Sequence, residues 1–418
     1  MQKIKEKINI KHKERIFIIA VLLLTVGIYL YLLKNEVKNE PFQHYPPIET
    51  KLLERTERFI ERQALRDDQF GLYIYDHTSD EVFYARNESQ LMPPASCTKL
   101  VTAISSIKRF GIDHTFKDSL FYQGHIENGI LYGDLLIKAD ADPALWDFKD
   151  MTDAIKSMGI QTIYGTINLR LSLKEPMKMH ESWGRNDMRI SDLPILFQGE
   201  RAIKNRFKKE IEAQDIYINE KAPIATQPNK LNYITAISHS LHEILTPMVL
   251  YSDNIYAQCI WTSLNSLYCK FTPNQEFPQD YLFDFIGKEL QMPYYLYTLS
   301  DACGLSPENR LSPKFLTELL HWAYNQENIR TFLIDEALPI PGDSERKGSL
   351  HWRMERSPAA GKVFAKTGTL NRLKTTALAG YLLTENGHLL VFAIMNKNMN
   401  LEDSRKFQDQ LCIELTRP

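Results

Sequence analysis

Positive charge is not in surplus in this chain. Its 50 lysines and arginines meet 52 aspartates and glutamates, and the formal net charge is -2. A nucleic-acid binder carries a basic stripe, so that class is excluded. Cysteine is scarce. Cys97, Cys259, Cys269, Cys303 and Cys412 are odd in number, and their spacing fits no metal-ligand signature. They read chiefly as small buried apolar residues. In an oxidising compartment one pair can form a disulfide, with the pairing left open. His239 and His242 beside Glu243 lack the H-E-x-x-H order of a zinc peptidase; they read as surface or capping residues. Asp140 and Asp142 lack the glycine and distal glutamate of a calcium loop, and read as turn residues. No internal repeat is present.

One long apolar run stands out. Ile16 to Leu33 carries no charge and matches the roughly 17–25 residues that span a bilayer as a helix. Residues 1–15 before it hold Lys3, Lys5, Lys7, Lys11, Lys13 and Arg15 against Glu6 and Glu14. The positive-inside rule keeps such a flank cytoplasmic. The run ends without a small-x-small cleavage site, and no cysteine nearby can accept a lipid, so 16–33 is expected to be an uncleaved anchor. Residues 34–50, with Pro41, Pro46 and Pro47, read as a spacer. All that follows is then outside the cytoplasm.

The whole chain is 44% apolar and 24% charged over 418 residues, enough for a large core and too long for one small domain. Leu52 to Leu65 has helical periodicity. Gly71–Tyr75 and Val82–Ala85 flank a polar stretch and predict a hairpin. A helix is expected from Ser96 to about Gly111. Leu135–Ile137 and Thr162–Ile167 read as strands. Helices are expected at Ser238–Leu245 and Asn254–Leu264. Ala377–Leu383 and Leu389–Met395 flank an Asn386-Gly387 turn and predict a second hairpin, and Leu401–Leu415 a last helix. Strands at both ends with helices between them predict an α+β fold. Its antiparallel sheet joins N- and C-terminal strands. Residues 51–111 and 235–418 form the catalytic domain, and 112–234 an inserted subdomain.

Three short motifs occur in order: Ser96-Cys97-Thr98-Lys99, Ser252-Asp253-Asn254 and Lys366-Thr367-Gly368. S-x-x-K alone arises by chance, but the ordered triple is the signature of serine penicillin-binding proteins and β-lactamases. The chemistry explains the spelling. A serine hydroxyl needs a base beside it, and positions i and i+3 share a helix face, which places the Lys99 amine beside Ser96. Desolvation and a second cation, Lys366, favour the uncharged amine. Ser252 can relay a proton to the leaving amine, and Asn254 can bond a substrate amide. Thr367 and Thr369 can hold a substrate carboxylate with Lys366. Gly368 lets substrate approach the strand. Backbone N–H groups of Ser96 and Thr369 can form an oxyanion hole. Cys97, adjacent on the helix, points off that face.

With neighbouring segments the chain resembles the class C low-molecular-mass penicillin-binding proteins, the D-alanyl-D-alanine carboxypeptidase/endopeptidases. The segments are Pro94–Ala103, Gly133-Asp134-Leu135 with Asp142-Pro143, Asp301–Ser306 with Asn309-Arg310, and Ala379-Gly380-Tyr381. The resemblance spans about Phe70 to Asn396. It implies a transpeptidase/β-lactamase-like domain, Ser96 as acylated nucleophile, Lys99 as base, and no metal or organic cofactor. It also implies peptidoglycan stem peptides as substrates and β-lactams as covalent inhibitors; the 16–33 run and its basic flank add the expectation of a single-pass location in the bacterial cytoplasmic membrane. Ala302-Cys303 replaces a usual Gly-Ser, Met177 to Glu200 departs from the family pattern, and the stretch between Ser96 and Ser252 is short enough to imply a reduced accessory domain. A β-lactamase on the same fold would need a water-activating segment such as E-x-x-L-N, which is absent. A non-catalytic wall-binding protein would not need Ser96, Lys99, Ser252 and Lys366 intact.

Overall fold

In a computed structural model the described residues are 50–173, 175–184, 187–220, 230–268 and 281–418. The apolar run 16–33, its basic flank, nearly all of the spacer, and Cys269 lie outside them. Among the described residues no helix is long and apolar enough to cross a membrane.

The chain begins with helix α1 (Thr50–Arg62), hairpin strands β1 (Phe70–Asp76) and β2 (Glu81–Arg86), and helix α2 (Thr98–Phe110), entered through a 3-10 turn at Ala95–Cys97. Next come β3 (Thr115–Glu127), β4 (Ile130–Ala139), α3 (Lys149–Ser157), β5 (Thr162–Tyr164), β6 (Ile167–Leu171), α4 (Glu200–Glu212), β7 (Tyr217–Asn219) and β8 (Leu231–Ser240). Helices α5 (Leu241–Leu250), α6 (Asn254–Tyr268), α7 (Tyr281–Glu289), α8 (Pro313–Tyr324) and α9 (Glu327–Thr331) follow. The chain closes with β9 (Val363–Leu370), β10 (Thr375–Leu383), β11 (Leu389–Asn396) and α10 (Leu401–Thr416).

Five strands form an antiparallel sheet in the order β2-β1-β11-β10-β9. Its central strands β10 and β11 are buried on both faces, which is why they read as near-continuous apolar runs. Alternation sends Ala377, Ala379 and Tyr381 toward α2, α5 and α8, while Leu378 and Leu382 turn toward α1 and α10. On β9 the same alternation sends Val363 and Ala365 to the α1/α10 side. Lys366 and Gly368 therefore share the α2 side, and Thr367 and Thr369 the α10 side. Phe407, Leu411, Cys412 and Leu415 lay the apolar stripe of α10 on the sheet. Burying one such large side chain contributes roughly 1.5–3 kcal/mol.

The second sheet, order β7-β5-β4-β3-β8 with β6 beside β4, has its own core around Leu135, Ile137, Phe148, Ile163 and Phe207. The expected helix at Ser238–Leu245 is displaced. Ser238 to Ser240 complete β8, paired with Lys117 to Thr115 of β3, and the helix starts at Leu241, capped by Ser240 and Glu243 in reciprocal bonds. The Thr162–Ile167 strand is broken into β5 and the start of β6. Asp142 is more than a turn residue: it is fully buried and bonded to His239 Nδ1 at 2.6 Å.

Candidate active site

The site is assembled where α2 starts. Ala95 adopts a left-handed backbone, φ +47°, and Thr98 Oγ1 donates to its carbonyl at 2.8 Å. That turn leaves Ser96 partly exposed between buried neighbours Ala95 and Cys97. Lys99 sits nearly one helical turn on, fully buried. Its Nζ lies 3.1 Å from Ser96 Oγ, 2.7 Å from Asn254 Oδ1 and 2.6 Å from the Cys303 carbonyl oxygen.

Those three contacts suit an uncharged amine. Asn254 Oδ1 and the Cys303 carbonyl only accept, so they take the amine's two N–H groups. As an ammonium, Nζ donates to Ser96 Oγ as well; uncharged, it keeps the two acceptors and can take the Ser96 proton on its lone pair. Burial lowers the Lys99 pKa, while nearby Asp301 and Asp253 partly oppose the shift. Asn254 is held in place by its own helix start, since Asp253 Oδ1 accepts from Tyr256 N–H at 2.9 Å.

Strand β9 closes the other side. Gly368 faces the nucleophile turn so closely that a Cβ would meet the Pro94 carbonyl at 2.6 Å and Ser96 N at 3.2 Å. Only glycine fits there. Lys366 is fully buried; burial first, and the Lys99 charge next, push its pKa down to about 7. Its Nζ donates to the Thr367 carbonyl at 3.0 Å. Thr367 Oγ1 donates to Ser349 Oγ at 2.7 Å, and Thr369 Oγ1 accepts from Arg405 Nη2 at 3.2 Å. Ser252 also has a left-handed backbone, φ +67°. No hydrogen bond joins its hydroxyl to Ser96, Lys99 or Lys366; it stands two residues from the Asn254 that does bond Lys99.

The floor comes from residues 301–309. Asp301 is fully buried and accepts from Gly304 N–H at 2.6 Å, Ser306 N–H at 2.5 Å, Asn309 Nδ2 at 2.8 Å and Trp183 Nε1 at 2.8 Å. This network fixes the Cys303 carbonyl that Lys99 uses. Gly304, φ +86°, lets that loop touch the nucleophile turn: a Cβ would fall 1.9 Å from the Ala95 carbonyl oxygen. Gln258, one turn along α6 from Asn254, accepts from Ala302 N–H at 3.2 Å. Arg372, just past β9, donates to the Ser182 and Leu305 carbonyls at 3.0 and 2.6 Å. Trp183, Gln258, Arg372 and Arg405 are supporting residues that the motifs did not point to; only Gln258, at i+4 from Asn254, had a local signal.

Cys97 points away from the cleft, its thiol donating to the Lys366 carbonyl at 3.3 Å and pushed up to about 12 by burial. It is a protonated, buried thiol. Cys259, Cys303 and Cys412 are likewise free and buried. Among the described residues no group of three or more His, Cys, Asp or Glu is placed to hold a metal ion.

A hydroxyl on a helix start, a buried amine at hydrogen-bond distance and an edge strand bearing K-T-G together define a serine acyl-transfer enzyme of the penicillin-binding type. The relationship narrows further, because the chain belongs to the D-Ala-D-Ala carboxypeptidase 3 (S13) family, whose profile matches residues 52–196 and 193–417. The profile matches in two pieces, and their join at 193–196 falls within Met177 to Glu200. Over 240 residues the chain is 28% identical to penicillin-sensitive carboxypeptidase A of Dictyostelium discoideum, an alignment covering 55% of this chain and 44% of that one. It is 21% identical over 468 residues to the D-alanyl-D-alanine carboxypeptidase of Actinomadura sp. (strain R39), covering 88% and 84%. The solved structure of penicillin binding protein 4 from Haemophilus influenzae shares the fold with a TM-score of 0.68 at 18% identity, over 86% of this chain and 97% of that one.

Proposed function

We propose that this chain is a penicillin-sensitive D-alanyl-D-alanine carboxypeptidase/endopeptidase acting on peptidoglycan peptides through a Ser96 acyl-enzyme. The observation that carries this reading is the 3.1 Å contact between Ser96 Oγ and a fully buried Lys99 Nζ. Uncharged Lys99 takes the Ser96 proton as Oγ attacks the carbonyl of the penultimate D-alanine. Backbone N–H groups of Ser96 and Thr369 take the developing oxyanion. The C–N bond breaks, and the leaving amine receives a proton passed from Lys99 through the Ser252 hydroxyl. Water then attacks the ester, with Lys99 again as base, and frees Ser96. Asn254 keeps its Nδ2 for a substrate carbonyl while its Oδ1 holds Lys99. Lys366, Thr367 and Thr369 grip the terminal carboxylate. β-Lactams enter the same first step and stop at the ester.

Mass spectrometry of purified peptidoglycan fragments after incubation with the protein tests this directly. Loss of one D-alanine, or opening of a cross-link, is expected, and Ser96→Ala should leave the fragments intact. Equal product from Ser96→Ala would refute the assignment.

Ile16 to Leu33 anchors the chain in a bacterial cytoplasmic membrane, with the catalytic unit on the extracytoplasmic side. The uncharged run and its basic flank support this. Protease added to intact spheroplasts should then digest the catalytic unit; complete protection would contradict the orientation.

A further inference from the structure

Arg405 is an exposed cation of α10 whose charge bears on the Asp409 carboxylate from beyond ion-pair distance. Arg353 has taken Asp409, with Nη2 at 2.7 Å from Oδ1, and Lys406 has taken Glu402 at 2.7 Å. Among the described residues Arg405 forms no ion pair. Its Nη2 donates instead to Thr369 Oγ1, across 36 positions of sequence.

The contact is positioned by buried neighbours. Thr369 lies opposite Thr376, and Thr376 opposite Asn396, in one rank across β9, β10 and β11. Gln408, fully buried, donates to Thr376 Oγ1 at 3.0 Å and to Asn396 Oδ1 at 3.1 Å. Gln408 and Arg405 are three apart on α10 and share a face. The glutamine fixes the helix over two members of the rank, and this sets the arginine over the third.

We propose that Arg405 binds the substrate's free terminal carboxylate together with the Thr369 hydroxyl, which makes it a specificity residue for peptides ending in an ionised carboxyl group. This rests on the function proposed above. Two physical points favour it. A guanidinium is planar, permanently charged and shaped for a carboxylate. Lys366, by contrast, is buried and its ammonium disfavoured, with a pKa near 7. Lys366 Nζ is turned to the Thr367 carbonyl at 3.0 Å, so a permanent charge on Thr369 supplies what the buried ammonium lacks.

The test compares two peptides that differ only at the end: one with a free D-Ala-D-Ala carboxylate, the other with the terminal carboxamide. In Arg405→Gln, kcat/KM for the free acid should fall about 10–100-fold, the range expected for losing a hydrogen bond to a charged group. The carboxamide, already slow with the native protein, should change less than about 2-fold. Arg405→Lys should recover part of the loss. Arg405 is exposed, so these variants should fold. A native-like kcat/KM for the free acid, or an equal fall for both peptides, overturns the inference while leaving the proposed function standing. A native protein inert toward both peptides and toward penicillin overturns both.

Discussion

Lys99 Nζ stands 3.1 Å from Ser96 Oγ, and its other two contacts, to Asn254 Oδ1 and the Cys303 carbonyl, are with atoms that only accept. The amine is thereby aimed: two acceptors anchor it, and once uncharged its lone pair can meet the hydroxyl. Removing Lys99 should cost the chemistry far more than the fold. Lys99→Met fills similar volume without a buried amine, so thermal unfolding should occur at or above the native temperature. Acylation by fluorescent penicillin, followed by rapid-quench gel analysis, should slow by roughly 10²–10⁴.

Asn254→Asp tests the charge state of that amine. It places an anion where a neutral acceptor now lies 2.7 Å from Nζ, which stabilises the ammonium and raises the Lys99 pKa. A base must be unprotonated to work. The acid limb of the acylation pH profile should therefore move to higher pH, with slow acylation at pH 7 partly restored in alkali. A profile that drops uniformly at every pH would count against Lys99 as the base.

Lys366 should mark the stability curve. Its folded pKa is about 7, against 10.5 unfolded. Between those values the unfolded chain binds more protons than the folded one, so stability rises as pH rises through that window. The contribution is complete above 10.5 and lost as pH falls to about 7. Lys366→Met removes the titration. Urea melts at pH 7 and pH 9 should show the native protein gaining stability on the variant at the higher pH, and a constant difference would refute the burial argument.

Gly304 should tolerate no side chain. Its positive φ costs a non-glycine residue on the order of 1 kcal/mol or more, and its Cβ would overlap the Ala95 carbonyl at 1.9 Å. Gly304→Ala should lose several kcal/mol in a denaturant melt and, where still folded, label poorly with penicillin, because the displaced loop carries the Cys303 carbonyl.

Much of this site is written locally. Ser96 and Lys99 meet because i and i+3 share a helix face, and the two hairpins show in apolar runs flanking polar turn residues. What is not local left no trace. Trp183 meets Asp301 across 118 positions and Arg405 meets Thr369 across 36; each pair is joined only by how sheet and helices pack. Ser238 to Ser240 resembled a helix because Ile237, Leu241 and Leu245 fall at i, i+4 and i+8. There the backbone ladder with β3 overrode the periodicity. Gly368 announced itself in K-T-G, but its reason, the Pro94 carbonyl behind it, belongs to another segment.

The most direct measurement is peptide mapping by mass spectrometry after incubation with penicillin. The account predicts one covalent adduct, on Ser96, formed by the native protein and absent from Ser96→Ala. A stable adduct on any other residue, or none on a folded native protein, would contradict it.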